Sequence, residues 1–497
     1  MAKASEMTQY VLLPEQGLRA KTTASGAPTR ELFLGADKAT ASRGLRIDGR
    51  LVPLKVIDSI GPDGAKLVEL SDASALSIRS LRPGVRLVPV VYYTPAIAPI
   101  PQVESPAVAA RGRAAVADTV TLQVVSKKDK SPVAGAIVVA FVDFTGRTGA
   151  QGVTDSSGNV SLPLGAGIKL QRLYVYPVDG YWSLIKKNVT VSATTQVSLA
   201  PLDLAYKDGL RWFYPGAPDA AGKGVTVAVI DTGVATHPDL VIAGGANTVP
   251  GEDPKNYGDN GQHHGTHVAG IIAARGKAPT GIRGVAPGVT LRAYRVFGQG
   301  SGSASSFAIA KAIDQAVADK CDLLNLSLGG GPTDPVLKAA VDDARAAGSL
   351  CIIAAGNNSR QPVSFPARED MALAVSAMGR KGTFPTSSTE ADAVAAPYGT
   401  DKKNFIADFS NVGPQIDLVG PGVGIMSTVP GGYEEISGTS MACPAVVGAA
   451  ARALTPKILK MKRNAARSDA MVVAILATAK SLGFGPTFEG HGMPQPK

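Results

Sequence analysis

Cysteine, aromatic residues and long apolar runs are all scarce in this chain. Three cysteines, Cys321, Cys351 and Cys443, stand among 497 residues. Odd in number, late in the chain and set among apolar or small neighbours, they predict reduced, buried thiols and exclude a disulfide framework. No stretch reaches the ~18 apolar residues of a membrane span, so no membrane partner is expected. The first residues are polar, and the first apolar run, Tyr10 to Leu13, is too short for the core of an export signal, which predicts a cytoplasmic protein. Phe, Trp and Tyr make up 5% of the chain against 56 glycines, a balance suited to helices packed closely on a sheet. The net charge of +10 is thinly spread and does not call for nucleic acid. Its densest basic run, Lys457 to Arg467, reads as a solvated helix face. Histidine is rare too, yet His263, His264 and His267 cluster. No HExxH frame or Cys/His quartet surrounds them, so no metal site is expected, and His263 and His267 read as structural neighbours.

The length predicts two to four domains. Residues 1–93 read as a small α+β unit: a strand at Tyr10 to Leu13, a hairpin of Lys55–Ile60 and Lys66–Leu70 about a Gly61-Pro-Asp-Gly64 turn, a helix capped by Ser71 or Asp72 running to Leu81, and a strand from Arg86 to Tyr93. Residues 94–118, with Pro95, Pro99, Pro101 and Pro106, form a semi-rigid linker by composition. Residues 119–203 alternate as short strands at sandwich-like spacing. Pro132-Val-Ala-Gly-Ala-Ile with Thr154-Asp-Ser-Ser-Gly resembles the transthyretin-like regulatory domains attached to carboxypeptidases. No chemistry is visible there, and a spacer or docking module is the expectation. Residues 204–497 change period again. Gly224–Ile230 is a continuous apolar, β-branched run, as expected of a strand buried on both faces of a parallel sheet. Similar runs at Thr290–Val296, Asp322–Ser327, Leu350–Ala355 and Ala372–Ser376 alternate with helical stretches at Ser303–Val317 and Pro335–Ala347. The fold class is therefore multidomain, with an α/β domain built on a mainly parallel sheet, preceded by an α+β unit and a β-sandwich.

Three residues in this last part carry chemistry. Asp231 follows the strand ending at Ile230, where a carboxylate can accept from a histidine and fix its tautomer. His264 opens His264-Gly-Thr-His267-Val-Ala-Gly270, a helix start. Ser440 lies in Gly438-Thr-Ser-Met-Ala-Cys-Pro444, where the proline marks a first helical turn and free backbone N–H groups favour negative charge. Asp, His, Ser is one of the known orders of a nucleophilic triad. Cys443, three residues on, reads as a core residue of the same helix.

These segments, from Val225 to about Val447, resemble the subtilisin family of serine peptidases. They include Ala228-Val-Ile-Asp-Thr-Gly233, Gly284-Val-Ala-Pro287, Leu324-Asn-Leu-Ser-Leu-Gly-Gly330, Ala354-Ala-Gly-Asn357 and Phe409-Ser-Asn-Val-Gly-Pro414. The resemblance implies a subtilisin-like fold and an endopeptidase acting on peptide or protein substrates. Ser440 would attack the carbonyl, His264 would carry the proton and Asp231 would orient the imidazole. Asn357 would complete the oxyanion hole with the Ser440 N–H. Ser327, Leu328 and Gly329 would pair with extended substrate and, with Ala354, Ala355 and Gly356, line the main specificity pocket. Residues 1–93 resemble the family's propeptide and imply an intramolecular inhibitor. No cofactor is implied. Asp239, in His237-Pro-Asp-Leu240, resembles a calcium-ligand aspartate of some members, but the loop from Arg275 to Ile282 lacks the expected Asn ligand. Ala445 stands where many relatives carry histidine, a matter of packing. Two alternatives share these residues: a peptide-binding or scaffold pseudopeptidase, and an acyl-transfer ligase or cyclase.

Overall fold

The computed structural model describes residues 7–20, 27–37, 44–106 and 119–495. The apolar run after Gly224 forms the strand Thr226–Asp231, an inner member of a nine-stranded sheet. Six strands lie side by side and parallel: Ile242–Asn247, Thr290–Arg295, Thr226–Asp231, Leu323–Leu326, Leu350–Ala354 and Leu373–Arg380. Leu418–Pro421 pairs parallel with the last of these, and Asn404–Ala407 and Val394–Tyr398 continue the sheet antiparallel. Successive side chains of a strand point to opposite faces. Val227 and Val229 accordingly join one core with the helices His264–Ala273 and Thr439–Ala453. Ala228 and Ile230 join the opposite core with Ser306–Ala318 and Pro335–Ala346. This is an α/β layering with both sheet faces covered, and it puts the histidine and serine helices on one face.

The earlier part of the chain forms a four-stranded antiparallel sheet in the order Lys55–Ser59, Lys66–Ser71, Met7–Leu13, Arg86–Pro89. Leu12, Val68 and Leu70 pack under the helices Ala27–Asp37 and Asp72–Leu81. The alternate residues Val11, Leu13 and Leu67 enter the core formed by Ser306–Ala318 and Pro335–Ala346. Arg19 forks onto Asp314 (3.1 and 2.7 Å), Lys311 bonds both oxygens of Asp58 (2.7 Å each), and Asp343 accepts from the Leu18 N–H at 2.7 Å. The single strand expected from Arg86 to Tyr93 is in fact two. Arg86–Pro89 ends the antiparallel sheet, and Tyr92–Pro95 belongs to a different one. Pro89 has no N–H to extend the first ladder, and the chain crosses at Val90 and Val91 to new partners.

Two further sheets enclose a third core. One runs Leu184–Thr190, Lys169–Tyr176, Ile137–Asp143, Thr148–Val153, Ser105–Pro106; the other runs Asn159–Leu162, Val120–Ser126, Thr194–Leu199. Trp182 leaves this sandwich and is buried in the core of the nine-stranded sheet. Arg172 and Tyr174 bond Asp392 at 2.6 and 2.7 Å, and the Ile185 N–H donates to Ser387 O at 2.8 Å. In the basic run at residues 457–467, Lys457, Lys460 and Lys462 are exposed as expected, and the two arginines are not. Arg463 and the fully buried Arg467 both bond Asp322 Oδ1, at 3.0 and 2.6 Å, at the foot of the strand Leu323–Leu326. A carboxylate at a buried strand end needs donors, and two guanidiniums supply them. The three cysteines are free and buried. Among the described residues no helix is long and apolar enough to cross a membrane.

Candidate active site

Asp231 ends its strand at the carboxyl edge of the parallel sheet, where open α/β sheets bind ligands. Its Oδ1 accepts from the Thr232 N–H and faces His264 Nδ1, each at 2.7 Å. His264 is the first residue of its helix, and both side chains are almost wholly buried. Gly265 makes this approach possible, because a Cβ there would collide with Gly233 O and press on Asp231 Cβ. The Gly265 N–H donates to Thr232 Oγ1 at 2.8 Å, so the helix start is pinned to the strand end. With Nδ1 donating to the carboxylate, Nε2 presents its lone pair. That Nε2 is buried and has no partner.

Ser440 is the second residue of the helix Thr439–Ala453. Its Oγ donates to Ser327 O at 2.8 Å, and Ser327 Oγ donates back to Ser440 O at 2.9 Å. The hydroxyl therefore rests on the strand end beside it, not on the imidazole. Asn357 Oδ1 accepts from the Thr439 N–H at 2.9 Å, which fixes the amide against the start of the serine helix. Its Nδ2 is buried with no partner. With Asp231 Oδ2, three polar atoms of the site are buried without a partner, a carboxylate oxygen, an imidazole nitrogen and an amide nitrogen, and they stand out because such groups are rare.

The cleft beside them is filled by the chain itself. Tyr92–Pro95 pairs antiparallel with Ala304–Ser305 on one side and with Leu328–Gly329 on the other. The Ala96 N–H donates to Ser327 O at 3.1 Å, and the Ser440 N–H donates to Ala96 O at 3.0 Å. Beyond it the Ala98 N–H donates to Ser437 O at 2.8 Å. Gly438 lets this segment come so near: a Cβ there would stand 2.6 Å from Ala96 O and 3.0 Å from Ile97 Cα. Of the predicted lining, Ser327, Leu328 and Gly329 touch the segment directly. Ala354, Ala355 and Gly356 are buried on the next strand end, with Ala354 in the same apolar core as Ala96. The second wall, Ala304–Ser305, escaped the sequence reading because a two-residue strand leaves no periodic trace. Residues 94–106, read as linker, lie in the cleft and along the sandwich; 107–118 fall outside the described residues.

A sequence profile of the Subtilase family matches residues 222–491, more than half the chain. The chain belongs to the subtilase family. Subtilisin Savinase of Lederbergia lenta is 42% identical over 265 residues, which is 53% of this chain and 86% of that protein. Alkaline protease of Alkalihalobacillus alcalophilus is also 42% identical over 265 residues, 60% of its length, and Alkaline elastase YaB of Bacillus sp. is 43% identical over 231 residues, 46% of this chain and 54% of that protein. Within the subtilase family this chain is a subtilisin-like serine endopeptidase. The matched region contains Asp231, His264, Asn357 and Ser440 and begins after the sandwich.

Other groups near this subtilase site are placed by burial. His267 Nε2 lies 3.0 Å from Ile425 O and 3.1 Å from Glu434 O, and burial pushes its imidazole down to about 3. It is a neutral brace between its helix and the paired strands Ile425–Val429 and Gly432–Ile436. Intermediate exposure at His263, in a left-handed conformation before the helix, leaves it outside the cluster. Cys443 is buried, its thiol bonded to Asn325 Oδ1 and Ile352 O at 3.3 and 3.2 Å, and burial pushes it far above the usual thiol range. A thiol so placed is not a nucleophile. Asp239 Oδ2 accepts from Tyr433 Oη and the Ile282 N–H, 2.9 Å each, while Gly276 and Gly281 close on the same carboxylate. Donors and packed backbone surround it where calcium would need further oxygens, so the calcium resemblance does not fit this site.

Proposed function

We propose that the chain is a self-inhibited precursor that cuts its own Ala96–Ile97 bond with Ser440, His264, Asp231 and Asn357. The single observation that carries this is the Ser440 N–H donating to Ala96 O at 3.0 Å. In that pose the Ala96 carbonyl lies at the start of the serine helix, where an oxyanion would form.

For reaction, Ser440 Oγ leaves Ser327 O, gives its proton to His264 Nε2 and bonds to the Ala96 carbonyl carbon. Negative charge passes to the carbonyl oxygen, where the Ser440 N–H and Asn357 Nδ2 receive it. Collapse breaks the bond to Ile97 nitrogen, which takes the proton from His264 and departs as the amine. Water, deprotonated by His264, then attacks the ester and frees the Ala96 carboxylate. Asp231 holds the Nδ1 proton throughout and stabilises the imidazolium. Substrate in trans would follow the same path, laid as an extended strand between 304–305 and 328–329 with a small residue at the attacked carbonyl. No cofactor enters any step.

Intact mass and N-terminal sequencing of purified protein test this. The wild type should begin at Ile97 once processed, Ser440→Ala should remain uncut, and a fluorophosphonate probe should label the processed wild type but not Ser440→Ala. A Ser440→Ala chain cut at Ala96–Ile97 while kept pure, or a processed wild type that takes up no probe, would overturn the assignment.

A further inference from the structure

Of the residues lying in the cleft, Tyr93 is enclosed completely. Its ring sits in the apolar core of Leu328 and Phe365, with its centroid 6.2 Å from that of Phe365. Gly331 closes over the ring, where a Cβ would stand 3.8 Å from Tyr93 Cε1. At the end of this pocket lies a charged group. Asp334 has no exposed surface; its Oδ1 caps the helix Pro335–Ala346 by accepting from the Val336 N–H at 2.8 Å, and its Oδ2 lies 3.4 Å from Tyr93 Oη.

We propose that this pocket selects tyrosine three residues before the attacked carbonyl, with Asp334 as the specificity-determining residue that reads the phenol hydroxyl. The proposal rests on the reading above that Tyr92 to Ala96 lies where substrate lies. An apolar pocket alone separates tyrosine from phenylalanine poorly, whereas a pocket built to bond a hydroxyl rejects the analogue without one, because its own buried polar group is then left short of a partner. Burial pushes the Asp334 carboxyl above its ordinary range, and bonds from the Val336 N–H, Ser306 and Tyr93 oppose that push. A phenylalanine removes one of those three opposing bonds and offers nothing to Oδ2. Leaving one such acceptor unmet is a difference of roughly tenfold.

Self-processed enzyme is given two fluorogenic peptides that differ by one oxygen, Tyr-Thr-Pro-Ala-Ile and Phe-Thr-Pro-Ala-Ile. The tyrosine peptide should be cut with kcat/KM about tenfold higher. In Asp334→Ser, which keeps a helix cap but is too short to reach the phenol, that ratio should fall to near one. Loss of activity on both peptides in this variant would mark a purely structural role and overturn the proposal, as would a wild-type ratio near one or a ratio that survives Asp334→Ser. A second measurement needs no turnover. In full-length Ser440→Ala, a double-mutant cycle of Tyr93→Phe and Asp334→Ser read by thermal unfolding should give less than the sum of the single losses. Strict additivity overturns the pocket. Coupling in the cycle together with two uncut peptides leaves the pocket standing and removes the catalytic reading instead.

Discussion

At the scale of single residues, the site is defined by atoms that lack partners. His264 Nε2, Asn357 Nδ2 and Asp231 Oδ2 are buried and unbonded, while His264 Nδ1 is held by Asp231 Oδ1 and Asn357 Oδ1 by the Thr439 N–H. A native structure tolerates such orphans where a reaction will later satisfy them. Asn357→Ala should therefore lower kcat and leave KM nearly unchanged, since Nδ2 has no partner until charge appears on the carbonyl oxygen. A loss of about 10²–10³ is expected, a magnitude that belongs to the corresponding asparagine of a subtilisin and is carried over from there. Steady-state kinetics on the processed enzyme decides the matter; a variant that raises KM at constant kcat would show the amide binding ground-state substrate instead. The identities of Asp231, His264, Asn357 and Ser440 were legible because each stands in a short motif whose glycines serve close approach. The rotamer of Ser440 was not legible, because it depends on Ser327 O, a backbone atom 113 residues away in sequence.

At the scale of elements, the hairpin Ile425–Val429 and Gly432–Ile436 joins the sandwich to the site. The Gly180 N–H donates to Tyr433 O at 2.9 Å, and the Ser183 N–H donates to Glu435 Oε1 at 3.1 Å, while Ser183 Oγ lies 3.2 Å from Glu390 Oε2. Burial, then the Asp179 carboxylate, pushes Glu434 up to about 8; burial, then Glu390, pushes Glu435 well above the ordinary 4.5. A carboxyl raised in this way holds its proton more tightly folded than unfolded. Its contribution to stability is complete below about pH 4.5 and is lost as pH climbs through the raised value, here toward 8. The melting temperature should fall between pH 5 and pH 9, and Glu434→Gln with Glu435→Gln should remove much of that fall. With allowance for partial solvent access, each group accounts for on the order of 1 kcal/mol, about 2–4 °C in a domain of this size. Calorimetry across that range would show an unchanged slope in the double variant if the interface were indifferent to these protons. Five of the nine strands of the main sheet were legible from apolar periodicity, since burial on both faces writes itself into a run such as Val225 to Ile230; Ile242–Asn247, Val394–Tyr398, Asn404–Ala407 and Leu418–Pro421 were not read as strands. The sandwich interface was not legible, because it is built from isolated polar contacts such as Arg172 with Asp392 that leave no period.

At the scale of the whole molecule, both sides of the Ala96–Ile97 bond are anchored separately. Before it, Tyr92–Pro95 is held in a three-stranded ladder, and the sheet behind rests on two helices of the α/β layer. After it, the Val103 N–H donates to Gln151 Oε1 at 2.9 Å, the Glu104 N–H donates to Arg147 O at 3.0 Å, and Ile100 and Val103 pack against the Phe141 and Tyr174 face of the sandwich. Cutting the bond thus frees neither side, and the mass change of cleavage should precede the appearance of activity. On the proposed self-cleavage, the slow step would be departure of the N-terminal unit, with its charged contacts setting part of that rate. Lys311 grips Asp58 at 2.7 Å with both groups partly exposed, a pair worth about 0.2–1 kcal/mol. Lys311→Glu should shorten the lag between cleavage and activity by roughly two- to fivefold. Lys311→Glu combined with Asp58→Lys should restore it, and added salt should shorten the wild-type lag while leaving the rate of bond cleavage alone. Time courses of intact mass and of peptide turnover in the same sample separate the two events. Activity that rises in step with cleavage in every variant would mean that the severed unit has no hold on the cleft.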